Sequence, residues 1–111
     1  GDGECQEGMI WEAAMVAARY RLQNLHVIVD ANGEQECGWN HDKTLSQEPV
    51  PNDVAKWKAF GWAVKEVNGN DIYELRAVFA SLPFEKGKPS VFNRQEFYAW
   101  VFVGQAISAS F

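Results

Sequence analysis

Several things are scarce in this chain, and each scarcity removes a class of protein. Of the 111 residues only two are cysteine, Cys5 and Cys37, too few and too far apart for a metal cluster. No apolar leader precedes them, so buried thiols in a reduced, cytoplasmic setting are expected, with a disulfide between the two conceivable but carrying no function. No apolar run reaches the roughly 20 residues that span a bilayer, so no membrane contact is expected. Basic residues are the minority: 10 Lys and Arg stand against 15 Asp and Glu, a net charge of −5, and no basic stripe is present to neutralise nucleic-acid phosphates. An anionic ligand would need a local cation and backbone N–H groups instead.

What is present is a globular composition, 47% apolar and 14% aromatic. A chain of this length forms one domain at most and buries about 65% of its unfolded surface, enough for a core. Residues 7–22 place Ile10, Trp11, Ala14, Met15, Ala18 and Leu22 at helical spacing among strong helix formers. Residues 25–30 are a short apolar, β-branched run without polar alternation, the pattern of a parallel strand covered on both faces. His26 lies within that run and is read as a packed or edge residue. Residues 31–52 are polar and contain Gly and Pro, which predicts a long loop holding a solvated His41.

Asp53 is placed to cap a helix reaching Phe60, with Val54, Trp57 and Phe60 on one side. A strand over residues 62–67, a turn at Asn68-Gly69-Asn70 and a helix over residues 71–81 follow. Ile72, Leu75, Val78, Phe79 and Leu82 form the apolar face of that helix. The loop Gly87-Lys88-Pro89 leads into a strand near Ser90. The order turn, helix, strand, helix, strand, helix, strand predicts an α/β fold, a parallel sheet with helices on its faces and right-handed crossovers.

The chemistry points to Gly1-Asp2-Gly3-Glu4 read with Asp30-Ala31-Asn32. An acidic side chain in a Gly-flanked turn, then a helix, a short strand and an Asn, brings Asp2 and Asn32 to one edge of a sheet. Two side-chain oxygens and a backbone carbonyl are a plausible protein share of the six oxygens around Mg²⁺, which borrows the rest from phosphates and water. Glycines beside Asp2 let backbone approach a diphosphate, and the start of the following helix favours a phosphate through its N–H groups and dipole. Read blandly, Asp2 is a frayed terminal residue and Asn32 a turn residue before Gly33.

Residues 1–38 resemble the diphosphate-binding domain of transketolase-type thiamine diphosphate enzymes. Gly-Asp-Gly with the later Asn32 is the general signature. Gln6-Glu7-Gly8, Trp11-Glu12-Ala13 and Asn24-Leu25 narrow it to transketolase. The similarity continues through residues 56–62 and 67–71 to residues 87–91. The resemblance implies a partial thiamine diphosphate-binding fold, truncated at both ends. A strand would precede Gly1, and a longer run would follow Val91. Residues 1–91 are the partial domain and residues 92–111 a divergent tail that serves as a strand or association segment.

Carried over residue by residue, the resemblance makes Asp2, Asn32 and the main-chain carbonyl of Glu34 the metal ligands. Asp2, Gly3, Glu7 and Asn32 become the residues of the thiamine diphosphate site. Glu7 matches a buried glutamate near the family's dimer interface that takes part in communication between cofactors, whereas Trp11 and Glu12 are assigned packing. The activity implied is ketol transfer between sugar phosphates. The aminopyrimidine-pairing glutamate and the substrate histidines lie outside the aligned region, so no catalytic residue is assigned and the chain alone is expected to be inactive. Expected partners are a complementing transketolase subunit or a second copy in a dimer. That dimer would be joined by residues 92–111 and the apolar helix residues Ile10, Trp11 and Met15, left bare by the missing strand. The competing reading is a non-catalytic orphan or interaction protein kept for its surface.

Overall fold

A computed structural model describes residues 1–31 and 53–95. Its elements run as a 3-10 turn Gly3–Gln6, α1 (Gly8–Arg19), β1 (His26–Ala31), α2 (Asp53–Ala59), β2 (Ala63–Asn68), α3 (Ile72–Ala80) and β3 (Ser90–Gln95). The three strands form one sheet in the order β1-β3-β2, and both pairings are parallel. His26 and Ala63 both sit opposite Ser90, so all three strands start in step. The expected α/β architecture is therefore present. β3 runs to Gln95, so the first residues of the expected tail, 92–95, are strand. The long loop expected over residues 31–52 lies outside the described residues, except Ala31, which ends β1.

Alternation along each strand divides two cores between the two faces of the sheet. On one face Val29 and Val91 meet Ala14 and Ala17 of α1, Trp57 of α2, Trp62 and Cys5, with Val27 and Val64 packed beside them. On the other, Val67 and Phe92 meet Val78 of α3, with Ile28, Leu75 and Phe84 around them. The apolar, unalternated composition of β1 is what this two-sided packing demands. The helix faces follow the predicted spacing in part: on α3 Val78 and Leu75 pack on the second core, whereas Ile72 and Phe79, expected on the same apolar face, are 62% and 50% exposed. Ile10 and Trp11, expected to be left bare, pack on the first core, because Trp57 and Phe60 rise against Trp11 with ring centroids 5.0 Å away in each case. Met15 is 52% exposed.

Two contacts fix α1 against the aromatic cluster. Trp62 donates its indole N–H to the Ala14 carbonyl at 3.0 Å in a buried site. Gly61 precedes it with φ +87, and a Cβ there would lie 3.2 Å from Ala18 Cβ, so both conformation and space favour glycine. α3 begins with the side chain of Asp71 accepting from the Tyr73 and Glu74 N–H groups. No helix among the described residues is long and apolar enough to cross a membrane.

Candidate functional site

The site is built at the carboxyl end of β1. Leu25 gives its carbonyl to the Ser90 N–H at 3.1 Å, so along this parallel ladder the odd-numbered residues turn their backbone groups towards β3. Asp30 is even-numbered, and its carbonyl therefore points to the outer edge. There the Asp2 N–H takes it at 3.1 Å. One hydrogen bond thus pins the Gly-Asp-Gly turn to the strand end from which the chain runs on through Ala31 to Asn32. Ligand sites in open parallel sheets lie beyond the carboxyl ends of the strands.

Asp2 is not frayed. It is 7% exposed, and its side chain accepts from the Gly3 N–H at 2.8 Å, capping the 3-10 turn. That turn, which the sequence reading did not anticipate, separates Asp2 from α1. The turn is held by Cys5 N–H to Asp2 carbonyl at 2.9 Å and by the Trp11 indole, which donates to the Cys5 carbonyl at 2.7 Å. Cys5 is a buried thiol and Cys37 lies outside the described residues. Glu4 is exposed and pairs with the Gly1 α-amine at 2.7 Å. That hydrogen bond, and then the amine's charge, hold the Glu4 carboxyl below its ordinary value of 4.5.

Of the other expected site residues, Glu7 is exposed in an extended conformation at the head of α1, and its side chain makes no capping bond. Glu12 is likewise exposed rather than packed. Gly3 is half-buried beside Asp2. Asn32, Glu34 and His41 lie outside the described residues. His26 is half-buried on β1 with Nδ1 lacking a hydrogen-bond partner, in keeping with a packed strand residue. Among the described residues no three His, Cys, Asp or Glu side chains converge as a metal cluster.

One residue went unassigned in the sequence reading. Asp30 carries a buried Oδ1 with no hydrogen-bond partner. Leaving a carboxylate oxygen out of water and unbonded is costly, and a nearby cation or donor relieves it. The available signal was the spacing Asp30-Ala31-Asn32, which puts an acid at the end of the strand that delivers the expected ligand. A buried Asp2 carboxylate and an unpartnered Asp30 oxygen, on residues joined by one backbone hydrogen bond, are hard-oxygen donors of the type that suits Mg²⁺.

The profile of the transketolase thiamine diphosphate-binding domain matches residues 1–98. The chain belongs to that family. It is 44% identical over 91 residues to an apulose-4-phosphate transketolase subunit from Actinobacillus succinogenes, covering 82% of this chain and 31% of that protein. It is 38% identical over 91 residues to the 6-deoxy-6-sulfo-D-fructose transketolase subunit SqwG of a Clostridium species, covering 82% and 32%. Against transketolase-like protein 1 of Mus musculus it is 35% identical over 100 residues, covering 89% and 16%. The chain spans about a third of the length of the first two of these curated relatives. The family match runs through β3 and past residue 91, and it accounts for the transketolase resemblance of the Gly-Asp-Gly, Gln-Glu-Gly and Trp-Glu-Ala segments.

Proposed function

We propose that this chain supplies the Mg²⁺ and diphosphate half of a transketolase-type site, and that ketol transfer between sugar phosphates is completed by a complementing chain. Asp2 and Asn32 give side-chain oxygens to Mg²⁺, Glu34 gives its main-chain carbonyl, and Gly3 meets the diphosphate through its backbone. Thiamine diphosphate, when bound, supplies the thiazolium that stabilises the carbanion of ketol transfer. The chain's own contribution is to bind and orient. Asp2 is held rigid by its hydrogen bonds, and Asp30, bonded to it through the backbone, adds negative charge at the strand end. The observation that carries this reading is the Asp2 N–H to Asp30 carbonyl bond, which ties the acidic turn to the strand leading into Asn32.

The names of relatives, which call them transketolase subunits, support a partner chain. By this reading the chain alone transfers no ketol group and works in a reduced, cytoplasmic setting. The second reading, a non-catalytic interaction protein, is favoured by the exposed apolar side chains Met9, Val16 and Tyr20.

Calorimetry with thiamine diphosphate decides between them. Saturable binding that requires Mg²⁺ is expected. Asp2→Ala weakens it at least about tenfold, the scale of losing one charged ligand contact of roughly 1.5–3 kcal/mol. Asp2→Asn keeps the acceptor for the Gly3 N–H and loses the charge, so it should stay folded by circular dichroism and still bind poorly. Affinity unchanged by both variants would remove Asp2 from the site.

A further inference from the structure

The face of the sheet that carries the second core is covered by a single helix among the described residues. Lys65 of β2, Phe92 of β3 and Ile28 of β1 stand in one row across it, since Phe92 is in register with both of the others. Parallel strands lie about 4.8 Å apart and a helix with its side chains is about 10 Å wide, so one helix covers two of three strands. That helix is α3, which packs over β2. Two contacts fix its rotation. Ser81 accepts from Lys65 Nζ at 3.1 Å, while the Phe79 ring meets Phe92 edge-on with centroids 5.2 Å apart. The Ser81 flank therefore turns towards β2, and the Phe79 flank towards β3 and β1.

At the α-helical pitch Ile72 falls about 20° from Phe79, on that same inner flank. Both side chains are exposed, and Ile28 beside Phe92 is half-buried. Together they form an apolar groove alongside α3 and over β1. The chain delivers an occupant to one end of it. β3 ends at Gln95, at the carboxyl end of the sheet, and α3 starts at the same end, with the Asp71 N–H bonded to the Asn68 carbonyl of β2 at 3.1 Å. Residues 97–103, Phe-Tyr-Ala-Trp-Val-Phe-Val, are apolar without interruption, and residues 97–111 carry no charged side chain. Even at a helical rise, residues 97–103 span about 10 Å, which matches the distance along α3 from Ile72 to Phe79.

We infer that residues 97–103 run back from Gln95 along this groove within the same chain and bury Ile72, Phe79 and Ile28. The segment is an intramolecular cover for the second core. It lies on the face opposite the core that packs under α1, and it makes no use of the cofactor site.

Urea unfolding of the full chain, followed by circular dichroism across the micromolar range of concentration, tests the cover. The midpoint is expected to be independent of concentration. Ile72→Ala should lower the folding equilibrium constant about fivefold or more, whereas at an uncovered helix position alanine is neutral or slightly stabilising. Trp100→Ala should lower it at least about tenfold, and the double variant should fall within about twofold of Trp100→Ala alone, because an uncovered Ile72 has nothing left to lose. A neutral Ile72→Ala, or losses that simply multiply, would overturn the contact. A midpoint that rises with concentration would assign the cover to a second copy and overturn the intramolecular reading. A measurement on the unaltered sequence stands beside these: in a mixture of isotope-labelled and unlabelled chain, nuclear Overhauser contacts from the Ile28 and Ile72 methyls to the aromatic rings of residues 97–102 are expected within one chain. Their absence, or their appearance only between chains, would overturn the proposal. None of these readouts depends on cofactor binding.

Discussion

Replacing Trp62 tests how α1, and the acidic turn tied to its start, are kept in place. Its side chain is 4% exposed, stands edge-on to Trp57 with centroids 4.9 Å apart, and donates to the Ala14 carbonyl across 48 residues of sequence. Trp62→Phe keeps most of the ring contact and loses the hydrogen bond. The Ala14 carbonyl retains its intrahelical donor, so the change costs about 0.5–1.5 kcal/mol, with a further contribution from lost volume. Trp62→Ala removes the ring and opens a cavity between α1 and α2, costing about 3–5 kcal/mol. A domain of this kind has about 5–15 kcal/mol in all, so the alanine variant should lose a large share of its stability and the phenylalanine variant a modest one. Urea unfolding followed by far-ultraviolet circular dichroism measures both without relying on the fluorescence of the residue removed. An alanine variant within about 1 kcal/mol of the parent would show that the cluster of Trp11, Trp57 and Trp62 does not anchor α1, and the account of the turn's rigidity would fall with it.

Two further outcomes follow from local chemistry. Asp71→Ala removes the acceptor for the Tyr73 and Glu74 N–H groups and should destabilise by about 0.5–2 kcal/mol, while Asp71→Asn should cost far less; equal costs in denaturant melts would mean the cap is not the cause. Glu4 has a depressed carboxyl, so its folded form binds a proton less readily than its unfolded form. The stabilisation is present above the ordinary glutamate value and is lost as pH falls through the lowered one. Acetylating the Gly1 α-amine should return the Glu4 carboxyl titration, followed by nuclear magnetic resonance, towards 4.5, and an unmoved titration would exclude the amine as the cause.

Much of the architecture was legible because periodicity and burial agree. Each predicted helix and strand recurs within about one to three residues of its observed span, and the unalternated β1 is covered on both faces as its composition requires. Sheet order was not legible, since nothing local in Val64 or Val91 says that β3 enters between β1 and β2. The partners of Ile10 and Trp11 were missed for the same reason. Trp57 of α2 and Phe60 just after it reach Trp11 from more than forty residues away in sequence, and no helical pattern encodes that meeting. At the site, the Gly-Asp-Gly triplet drew attention to Asp2, whose side chain is buried and hydrogen-bonded. Asp30 was invisible as a chemical group, because an acid at a strand end is ordinary until its oxygen proves buried and unbonded.

The same backbone bond that defines the candidate site makes it depend on strand register. Asp30 offers its carbonyl to Asp2 only because it stands at an even position while Leu25 spends its own carbonyl on Ser90. Slipping β1 by one residue against β3 would turn the Asp30 carbonyl inwards. It would also exchange Val29 for Ile28 in the core packed under α1. The register is in turn fixed by Val27 and Val29 meeting α1 and α2 on one side and Ile28 meeting Phe92 and Leu75 on the other. Apolar side chains with no chemistry of their own therefore decide where the acidic turn sits, and a substitution such as Val29→Asp should weaken the Mg²⁺-dependent binding proposed for the site, read by the same calorimetry, from within the core and without touching a proposed oxygen ligand.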